Sequence, residues 1–513
     1  MVNIEAKTVK FWPVPSKGVW RHVPIYQIPD DALYDSHNVV EIDGRLVPRP
    51  GMTSFTADDF AGDPCGATMY YKTKGQPVIV YMTSGRIYTY NATTGVWTDR
   101  TGAAITGTAV AANKARFTSI VLGNTTATSY VIMTNGIDPP QKWDGTAAAT
   151  SSVAGTPPLW TDVATIADRI IGIDPPYNVS WSPVRQIDSW PALNYHQAGF
   201  TPDQVVAIRA LGVQGGVLYK ARSIWTISPT GLDSDAKAYR FDLYGLYEGP
   251  ANPAAVVDAD GVQVRMTPTG RIGVFDGAKH SWIGDGVWPI IRAQMDPAWV
   301  KHIHGVYDPL ENIVYMFYPL SNGAVRGVVM ITLPQVGREG FGCFLGEYTL
   351  DGGIGGLNEI LASVTFTQKP GATTAYKQLV FTGGDPSATH GVYSLEGTLD
   401  QTDSDSVIAG YWQTGLAKLP EAMRLEGIEL YASRGDGYGN LTVEPVTSWV
   451  LADDGQLGTA RTIDLGQAIE PPRDPLGFDQ RARFAGLRFS FGDVEETTLE
   501  YKGVALLGQK VVG

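Results

Sequence analysis

Charged residues and cysteines are both scarce in this chain. Only 18% of the 513 residues are charged and only two are cysteine. Typical soluble domains carry about 25% charged residues, and long surface helices are built from Glu, Lys and Arg, so the shortage argues against a helical protein. Cys65 and Cys343 lie too far apart in sequence for a disulfide framework or a cysteine-based zinc site, and we predict two buried thiols.

Positive charge, long apolar runs and catalytic motifs are also missing. The 39 basic residues are outnumbered by 52 acidic ones, which gives a net charge of −13. General binding to nucleic-acid phosphates needs a basic surface, so that class is excluded. No run approaches the roughly 18 apolar residues of a membrane-spanning helix. The motifs G-x-S-x-G, H-E-x-x-H, G-x-x-x-x-G-K-[ST] and C-x-x-C are absent. We therefore expect no enzymatic activity and no cofactor.

Glycine, proline and aromatic residues are abundant instead. The chain has 59 Gly, 33 Pro, 24 Tyr, 16 Phe and 13 Trp. Aromatic residues favour strands, and Gly and Pro mark turns. Apolar runs of four to eight residues, such as Pro77–Met82, Ser129–Thr134 and Asn312–Tyr318, have the length of strands. Only Asp203–Ala210 and Trp288–Met295 are candidate helices, so the sequence predicts an all-β protein.

One internal repeat has the pattern [ST]-G-R-I-x-x-[YF]-[ND]-x5-W. It occurs at residues 84–97 and 269–282. Its fixed positions are Gly85, Arg86, Ile87 and Trp97 in the first copy, and Gly270, Arg271, Ile272 and Trp282 in the second. A repeated hairpin unit with one large aromatic is typical of a β-propeller, whose aromatics fill the wedges between blades. We predict six or seven blades; an array of β-sandwiches with chance similarity is the alternative.

The composition and the length of the predicted strands change near residue 400. An acidic polar stretch there is followed by longer strands with clean two-residue alternation, typical of a half-buried antiparallel sheet. We predict an N-terminal arm and first hairpin in 1–60, a propeller in 61–400 and a C-terminal antiparallel β-sandwich in 407–513.

Two histidines are the nearest approach to a metal site. His302 and His304 would share one face of a strand, as a ligand pair does. No third ligand at a credible spacing is identifiable. We therefore predict no metal site, and expect solvent-facing or hydrogen-bonded histidines.

Five segments, in order, resemble the tail nozzle proteins of short-tailed bacteriophages, also called packaged-DNA stabilisation or tail tubular proteins. The opening segment, 28–55, reads IPDDALYDSHNVVEIDGRLVPRPGMTSF. The others are 134–145 (TNGIDPPQKWDG), 168–190 with its W-S and D-S-W elements, 211–226 (LGVQGGVLYKARSIWT) and 411–446. Together they touch most of the chain.

The opening segment also has a physical interpretation. Asp-Gly is a tight-hairpin signal, and Arg-Pro-Gly ends a strand because Pro removes a ladder donor and Gly permits positive φ. We predict a structural hairpin that starts or closes the propeller, rather than a contact with DNA or a partner. Its residues are Asp43, Gly44, Arg45, Arg49, Pro50 and Gly51.

The resemblance implies a structural virion protein that is made in the host bacterial cytoplasm. It would form a six-fold ring at the distal end of the tail, bind the tail adaptor and fibre or spike proteins, and let the genome DNA pass without sequence-specific binding. An acidic lumen would repel DNA phosphates. A glycan- or receptor-binding adhesin, with exposed Trp160, Trp288 or Trp299 stacking on sugars, is the alternative. A propeller hydrolase is a third, disfavoured because the sialidase Asp-box pattern fails here.

Overall fold

The computed structural model describes most of the chain. The described residues are 7–56, 58–72, 77–122, 128–200, 202–212, 215–232, 235–321, 323–335, 340–348, 359–368, 375–383, 391–396, 402–403, 406–434, 440–448, 456–457, 459–464, 480–492 and 499–510. Over these ranges the structure is built almost entirely from antiparallel sheets. No helix in them is long and apolar enough to cross a membrane.

The strands follow one another along the chain as short, closely spaced hairpins. The N-terminal part contributes β1 (Lys7–Pro13), β2 (Leu33–His37), β3 (Val39–Ile42), β4 (Arg45–Pro48) and β5 (Gly51–Thr56), with a 3₁₀ turn at Ile25–Gln27. Blade 1 contains β6 (Pro64–Tyr70), β7 (Val78–Thr83), β8 (Ile87–Asn91) and β9 (Val96–Asp99). Blade 2 contains β10 (Arg116–Leu122), β11 (Thr128–Thr134), β12 (Gln141–Trp143) and β13 (Ser151–Ser152). Blade 3 contains β14 (Val163–Ile166), β15 (Arg169–Asp174), β16 (Asn178–Trp181) and β17 (Tyr195–Gln197).

The second half of the ring repeats this arrangement. Blade 4 contains β18 (Val205–Leu211), β19 (Gly215–Lys220), β20 (Ile224–Pro229) and β21 (Tyr239–Gly245), with a 3₁₀ turn at Asp235–Lys237. A 3₁₀ turn at Pro253–Ala255 leads into blade 5, with β22 (Val256–Ala259), β23 (Val262–Met266), β24 (Ile272–Phe275) and β25 (His280–Ile283). The helix α1 (Trp288–Gln294) and a 3₁₀ segment at Pro297–His302 precede blade 6, with β26 (His304–Asp308), β27 (Ile313–Pro319), β28 (Val325–Thr332) and β29 (Gly342–Glu347).

Blade 7 and the C-terminal unit complete the chain. Blade 7 takes β30 (Glu359–Gln368), β31 (Ala375–Gly383), β32 (Val392–Glu396), β33 (Thr402–Asp403) and β34 (Ser406–Val407). The C-terminal unit takes β35 (Gly410–Thr414), β36 (Ala417–Arg434), β37 (Asn440–Ser448), β38 (Gln456–Leu457), β39 (Arg461–Asp464), β40 (Gln480–Phe491) and β41 (Leu499–Lys510).

The seven blades form a closed ring. Six four-stranded sheets and one six-stranded sheet follow one another in the described chain. The first strands of successive blades contact each other in the order β6, β10, β14 and β18, then β22, β26 and β30, and β30 contacts β6. Arg209 of β18 supplies the link to β22 through a bond to the carbonyl of Val256. These first strands therefore surround the axis of a seven-bladed propeller.

The ring is closed by a strand from the opposite end of the sequence. In blade 7, β5 pairs antiparallel with β32, so that Met52 lies opposite Leu395 and Gly51 opposite Glu396. The N-terminal strand β5 thus supplies the fourth strand of the last blade. Because the hydrogen bonds join residues more than 300 positions apart, the first and last blades cannot separate without breaking this ladder.

Apolar side chains fill the wedges between neighbouring blades. Separate clusters lie between blades 7 and 1, 1 and 2, 2 and 3, 3 and 4, and 4 and 5. Tyr81 of blade 1 stacks on Phe381 of blade 7 at 4.2 Å between ring centroids. Trp160, fully buried, packs against Trp190 and lies next to Gly172. Aromatic burial of this kind holds the wedge-shaped blade interfaces together.

The C-terminal strands form a second unit together with the N-terminal ones. Its eleven-stranded sheet has the path β2-β35-β40-β36-β41-β4-β3, and β1 also pairs with β41. Buried side chains from this unit, including Trp412 and Phe489, join the same apolar cluster as blades 5 to 7. The predicted 1–60 arm is therefore divided in the structure: β1 to β4 belong to the C-terminal sheet, and β5 belongs to blade 7.

The predicted all-β propeller of six or seven blades is confirmed, and the described residues form seven blades. The C-terminal strands, predicted as a separate antiparallel β-sandwich, form one eleven-stranded sheet together with β1 to β4. The helix predicted at Trp288–Met295 is present as α1. The candidate helix at Asp203–Ala210 is wrong, because the segment is the innermost strand of blade 4 and pairs with β19. Cys65 and Cys343 are both buried free thiols, as predicted.

The two repeat copies occupy equivalent places in blades 1 and 5. Ile87 begins β8 and Ile272 begins β24, and each Trp lies on the outermost strand of its blade. Gly270 has φ of +80°, where a side chain is strained, whereas Gly85 is outside that region. The two glycines are therefore alike in sequence and different in backbone conformation.

We predict that Gly172→Ala destabilises the propeller by about 1–3 kcal/mol, because inserting a methyl group into a packed interior forces neighbours to shift. An added Cβ would lie 2.4 Å from Cδ2 of the buried Trp160 ring. Calorimetric melting measures the effect. Gly85→Ala is the matched control, since its Cβ would meet its nearest atom at 3.5 Å. Equal melting temperatures for the two variants would contradict the proposed wedge packing.

Candidate functional site

A polar cavity lies on the propeller axis, where the first strands of several blades meet. It has a volume of about 30 Å³ and is lined from β6, β10, β26, β30 and the 3₁₀ turn before β22. The side chains that bring chemistry to it are Cys65, Lys114, Arg116, His304 and Ser363. A space of this size accommodates one or two water molecules.

Lys114 is the buried cation of the cavity. It is only 5% exposed, and its Nζ donates a hydrogen bond to the carbonyl of Leu361 at 2.6 Å. Burial lowers its pKa to about 8, although the nearby Cys65 and Glu359 act in the opposite direction. A lysine with this pKa is mainly an ammonium near pH 7 and about half neutral amine near pH 8, and the neutral amine is a nucleophile.

His304 supplies an unoccupied acceptor next to that amine. Its Nδ1 lies 3.0 Å from the carbonyl oxygen of His302, which only accepts, so Nδ1 carries the proton and Nε2 the lone pair. Nε2 is buried and has no hydrogen-bond partner among the described residues. Burial, and then the charge of Lys114, hold the pKa of His304 well below its ordinary value. His304 is therefore a neutral base.

His302 does not lie beside His304 on a strand. It ends the 3₁₀ segment Pro297–His302, and β26 begins at His304, so the expected shared strand face is wrong. The His302 ring lies 4.8 Å from that of Trp299, and burial lowers its pKa to about 4. Within the described residues, no group of three or more His, Cys, Asp or Glu side chains could hold a metal ion.

Ser363 and Cys65 complete the polar lining. The buried Oγ of Ser363 has no hydrogen-bond partner within the described ranges. The thiol of Cys65 lies 3.6 Å from the carbonyls of Asp63 and Val110, and burial raises its pKa to about 12. Because the thiolate is the reactive form, Cys65 is an inert neutral thiol at physiological pH.

An ionic cluster borders the cavity and joins four blades. Asp162, fully buried, accepts from Nε of Arg116 at 3.2 Å and from a terminal nitrogen of Arg209 at 2.6 Å. It also accepts from the backbone N–H groups of Val163 and Ile208. Arg209 in turn donates to carbonyls at the start of blade 5. One carboxylate thus binds two guanidinium groups across the centre of the ring.

Sequence reasoning missed this axial group. The signals are present but weak: Lys114 and Arg116 are two residues apart at the entry to a strand, and Arg209 interrupts an apolar strand. Charged side chains at such positions face a common polar partner or solvent. The partners lie about 50 to 250 residues away in sequence, so spacing alone does not reveal them.

The opening motif is a structural hairpin in the described structure. Ile42 pairs with Arg45, and Asp43 and Gly44 both have positive φ, which is the geometry of a tight two-residue turn. Arg45 is exposed. Pro50 and Gly51 lead into β5 and so into the closing blade.

Arg49 of the same motif is a buried arginine whose hydrogen bonds connect the propeller with the C-terminal unit. It is 1% exposed. Its guanidinium donates to Oδ1 of Asn38 at 2.9 Å, to the carbonyl of Pro50 at 3.0 Å and to that of Glu347 at 2.6 Å. The same group lies 3.8 Å from the ring centroid of Tyr348. Asn38, with φ of +57°, also donates to the carbonyl of Ala409. This cluster joins β4, blade 6 and the start of the C-terminal unit.

The repeat residues lie away from both clusters, in two separated blades. Arg86 pairs with Asp99 at 3.3 Å on an exposed surface. Arg271 lies over Trp282 at 4.5 Å and over Trp288 at 5.0 Å, forming a partly exposed cation–aromatic stack. The equivalent arginines therefore make different contacts, and the repeat marks fold rather than one shared binding site.

We predict that Arg49→Met lowers the free energy of unfolding by about 3 kcal/mol, because it leaves buried acceptors without their donor. Thermal unfolding of the full chain measures the loss. Arg45→Met, on the exposed end of the same hairpin, removes the same charge and is expected to cost about 1 kcal/mol or less, because the contacts of an exposed charge are weak. Equal melting temperatures for the two variants would show that the buried contacts of Arg49 do not stabilise the fold.

We predict that Asp162→Asn destabilises the chain by about 3 kcal/mol, since it removes the buried carboxylate that the buried Arg209 and the partly buried Arg116 share. Asp168→Asn in the same blade is the control. Its ion pair with Arg185, at 2.8 Å, is solvent-exposed, and Asn tolerates its positive φ. Exposed pairs contribute about 1 kcal/mol or less. Comparable losses in urea unfolding would show that the axial cluster is not a structural centre.

Comparisons with known proteins leave the family open. No family model matches the sequence, and no curated protein matches it. Among solved structures, BamB from Moraxella catarrhalis is similar with a TM-score of 0.34 and 10% identity, over 76% of this chain and 97% of that one.

Proposed function

We propose that this chain is a structural virion protein, the subunit of the distal nozzle ring of a short bacteriophage tail. In this role six copies close the DNA exit channel and guide the genome during ejection. The partners are other copies of the chain, the tail adaptor and the fibre or spike proteins. Beside the sequence resemblance, one structural observation supports the proposal. The N-terminal segment is hydrogen-bonded both to the C-terminal sheet and to blade 7.

Pairing of the N-terminal segment with two separate sheets suits a protein that must resist mechanical force. The strands β1, β2 and β4 pair with the C-terminal strands β41 and β35, and Gly51–Thr56 closes blade 7. Arg49, between these two segments, is bonded to blade 6. Resistance to forced unfolding depends on the unfolding rate, and that rate falls when separate elements must break together. A plug that retains packed DNA needs such resistance.

The charge balance suits the same role. The chain carries a net charge of −13, and acidic walls repel the phosphates of a passing duplex. The three axial cations Lys114, Arg116 and Arg209 are bonded within the protein, to Leu361, Asp162 and the start of blade 5. Their charges therefore serve the fold instead of attracting DNA.

The proposal predicts the defect of particles that lack this chain. We expect them to package DNA and then lose it, because the exit channel has no distal closure. The measurement is the nuclease-resistant genome content per capsid, with and without the gene. Complementation by the wild-type chain restores retention, and Arg45→Met serves as a neutral variant. Particles that retain a full genome without the chain would overturn the proposal.

The adhesin alternative rests on one observation. Trp299 is 39% exposed, and Trp288 is partly exposed within its arginine stack. Trp160, the third candidate for sugar stacking, is fully buried and unavailable. An adhesin mutant would keep its DNA and fail to adsorb to cells. Adsorption and genome retention therefore separate the two functions in one experiment.

A further inference from the structure

We propose that Lys114 is a carbon dioxide-binding residue, whose ε-amino group forms a carbamate inside the axial cavity. The inference rests on the cavity and its unpartnered polar atoms, and it stands independently of the tail role. The ligand is dissolved CO₂, a small neutral molecule that needs no charged entry path.

The cavity offers an amine, a base and room for a three-atom molecule. Lys114 lines the same space of about 30 Å³ as His304 and Ser363. The buried Nε2 of His304 and Oγ of Ser363 have no hydrogen-bond partner in the described part of the chain. Buried polar atoms are normally hydrogen-bonded, and a carbamate on Lys114 would give an acceptor to the Ser363 hydroxyl and to a protonated Nε2 of His304.

The reaction can be balanced with the groups present. The lone pair of neutral Nζ attacks the carbon of CO₂ and forms the C–N bond. One C=O π pair moves onto oxygen, and a proton leaves the nitrogen. Nε2 of His304 accepts that proton, because Nδ1 already donates to the carbonyl of His302; the loss of positive charge on Lys114 and the new carbamate charge favour the imidazolium that burial disfavours. The products are a carbamate on Lys114 and an imidazolium on His304, with no oxidant or leaving group required.

The cavity wall also provides donors for the carbamate. Arg116 lines the cavity and binds Asp162 through Nε, so its guanidinium would be the charged donor nearest to an anion formed there. The Oγ–H of Ser363 is a second donor. A carbamate facing Arg116 and an imidazolium would form charge-assisted hydrogen bonds, which are stronger than neutral ones.

The change of charge has a structural consequence. Carbamate formation places a new anion on Lys114 and a new cation on His304, beside Arg116, whose Nε is bonded to Asp162. A ligand that binds the folded state alone stabilises that state. CO₂ is therefore expected to raise the melting temperature of the wild-type chain.

Lys220 provides a matched control within the same protein. It is equally buried, but its Nζ lies 2.9 Å from the carboxylate of Asp203 and 4.6 Å from the ring centroid of Trp225. The amine of Lys220 is engaged by a carboxylate, whereas among the described residues the Lys114 amine is bonded to a neutral carbonyl. If burial alone favoured carbamate formation, Lys114 and Lys220 would react alike.

The test equilibrates the full chain with ¹³C-labelled CO₂ and bicarbonate near pH 8, close to the pKa of Lys114. Trialkyloxonium alkylation then traps carbamates before digestion and mass spectrometry. We expect the label on Lys114 and not on Lys220, and a melting temperature that rises with CO₂. Lys114→Met is expected to lose both effects.

A second variant guards against a folding defect in Lys114→Met. Ser363→Ala keeps the lysine and removes one carbamate donor, so labelling of Lys114 is expected to fall severalfold while Lys220 is unchanged. No label on Lys114, equal label on Lys114 and Lys220, or unaltered labelling in Ser363→Ala would each overturn the proposal.

Discussion

The structure depends on one closure, made where the N-terminal segment meets the last blade. A ring of blades that pack mainly through apolar wedges has two free faces until its ends are joined. Here the backbone ladder between β5 and β32 joins them, and Arg49 fixes the incoming chain just before that ladder. Removing the closure would expose the faces of blades 1 and 7, including the stacked Tyr81 and Phe381.

The same closure explains why the second unit is composite. Since the chain must return to blade 7 from its N-terminus, the residues ahead of β5 lie beside the C-terminal strands and pair with them. This composite unit consequently shares one apolar cluster with blades 5 to 7. A boundary drawn from sequence at residue 60 separates segments that the hydrogen bonds hold together.

Local features were readable from the sequence, and distant partnerships were not. The Asp43–Gly44 turn and the repeat strands follow from residue preferences and two-residue alternation. The segment at Asp203–Ala210 looked helical because its apolar spacing is ambiguous over a short run, and pairing with β19 decided it. The roles of Arg49 and Asp162 depend on partners far along the chain, which neither composition nor spacing identifies.

Two different kinds of interaction stabilise the propeller: the β5–β32 backbone pairing that closes the ring, and the buried charges near its axis. The closure is a backbone ladder, insensitive to small ligands, whereas the axis depends on a few buried charges. A buried carboxylate shared by two guanidinium groups is stable only while every partner remains. The centre of the propeller is therefore where a change in charge would have the greatest effect on the fold.

The proposed nozzle role depends first on where the chain lies in a phage particle. Gold-tagged antibody against this protein, applied to intact particles from a phage lysate in which the protein is detected and imaged by negative stain, measures that location. The nozzle proposal predicts label at the tip of a short tail. Label on lateral fibres or spikes, or no label on intact particles, would contradict it.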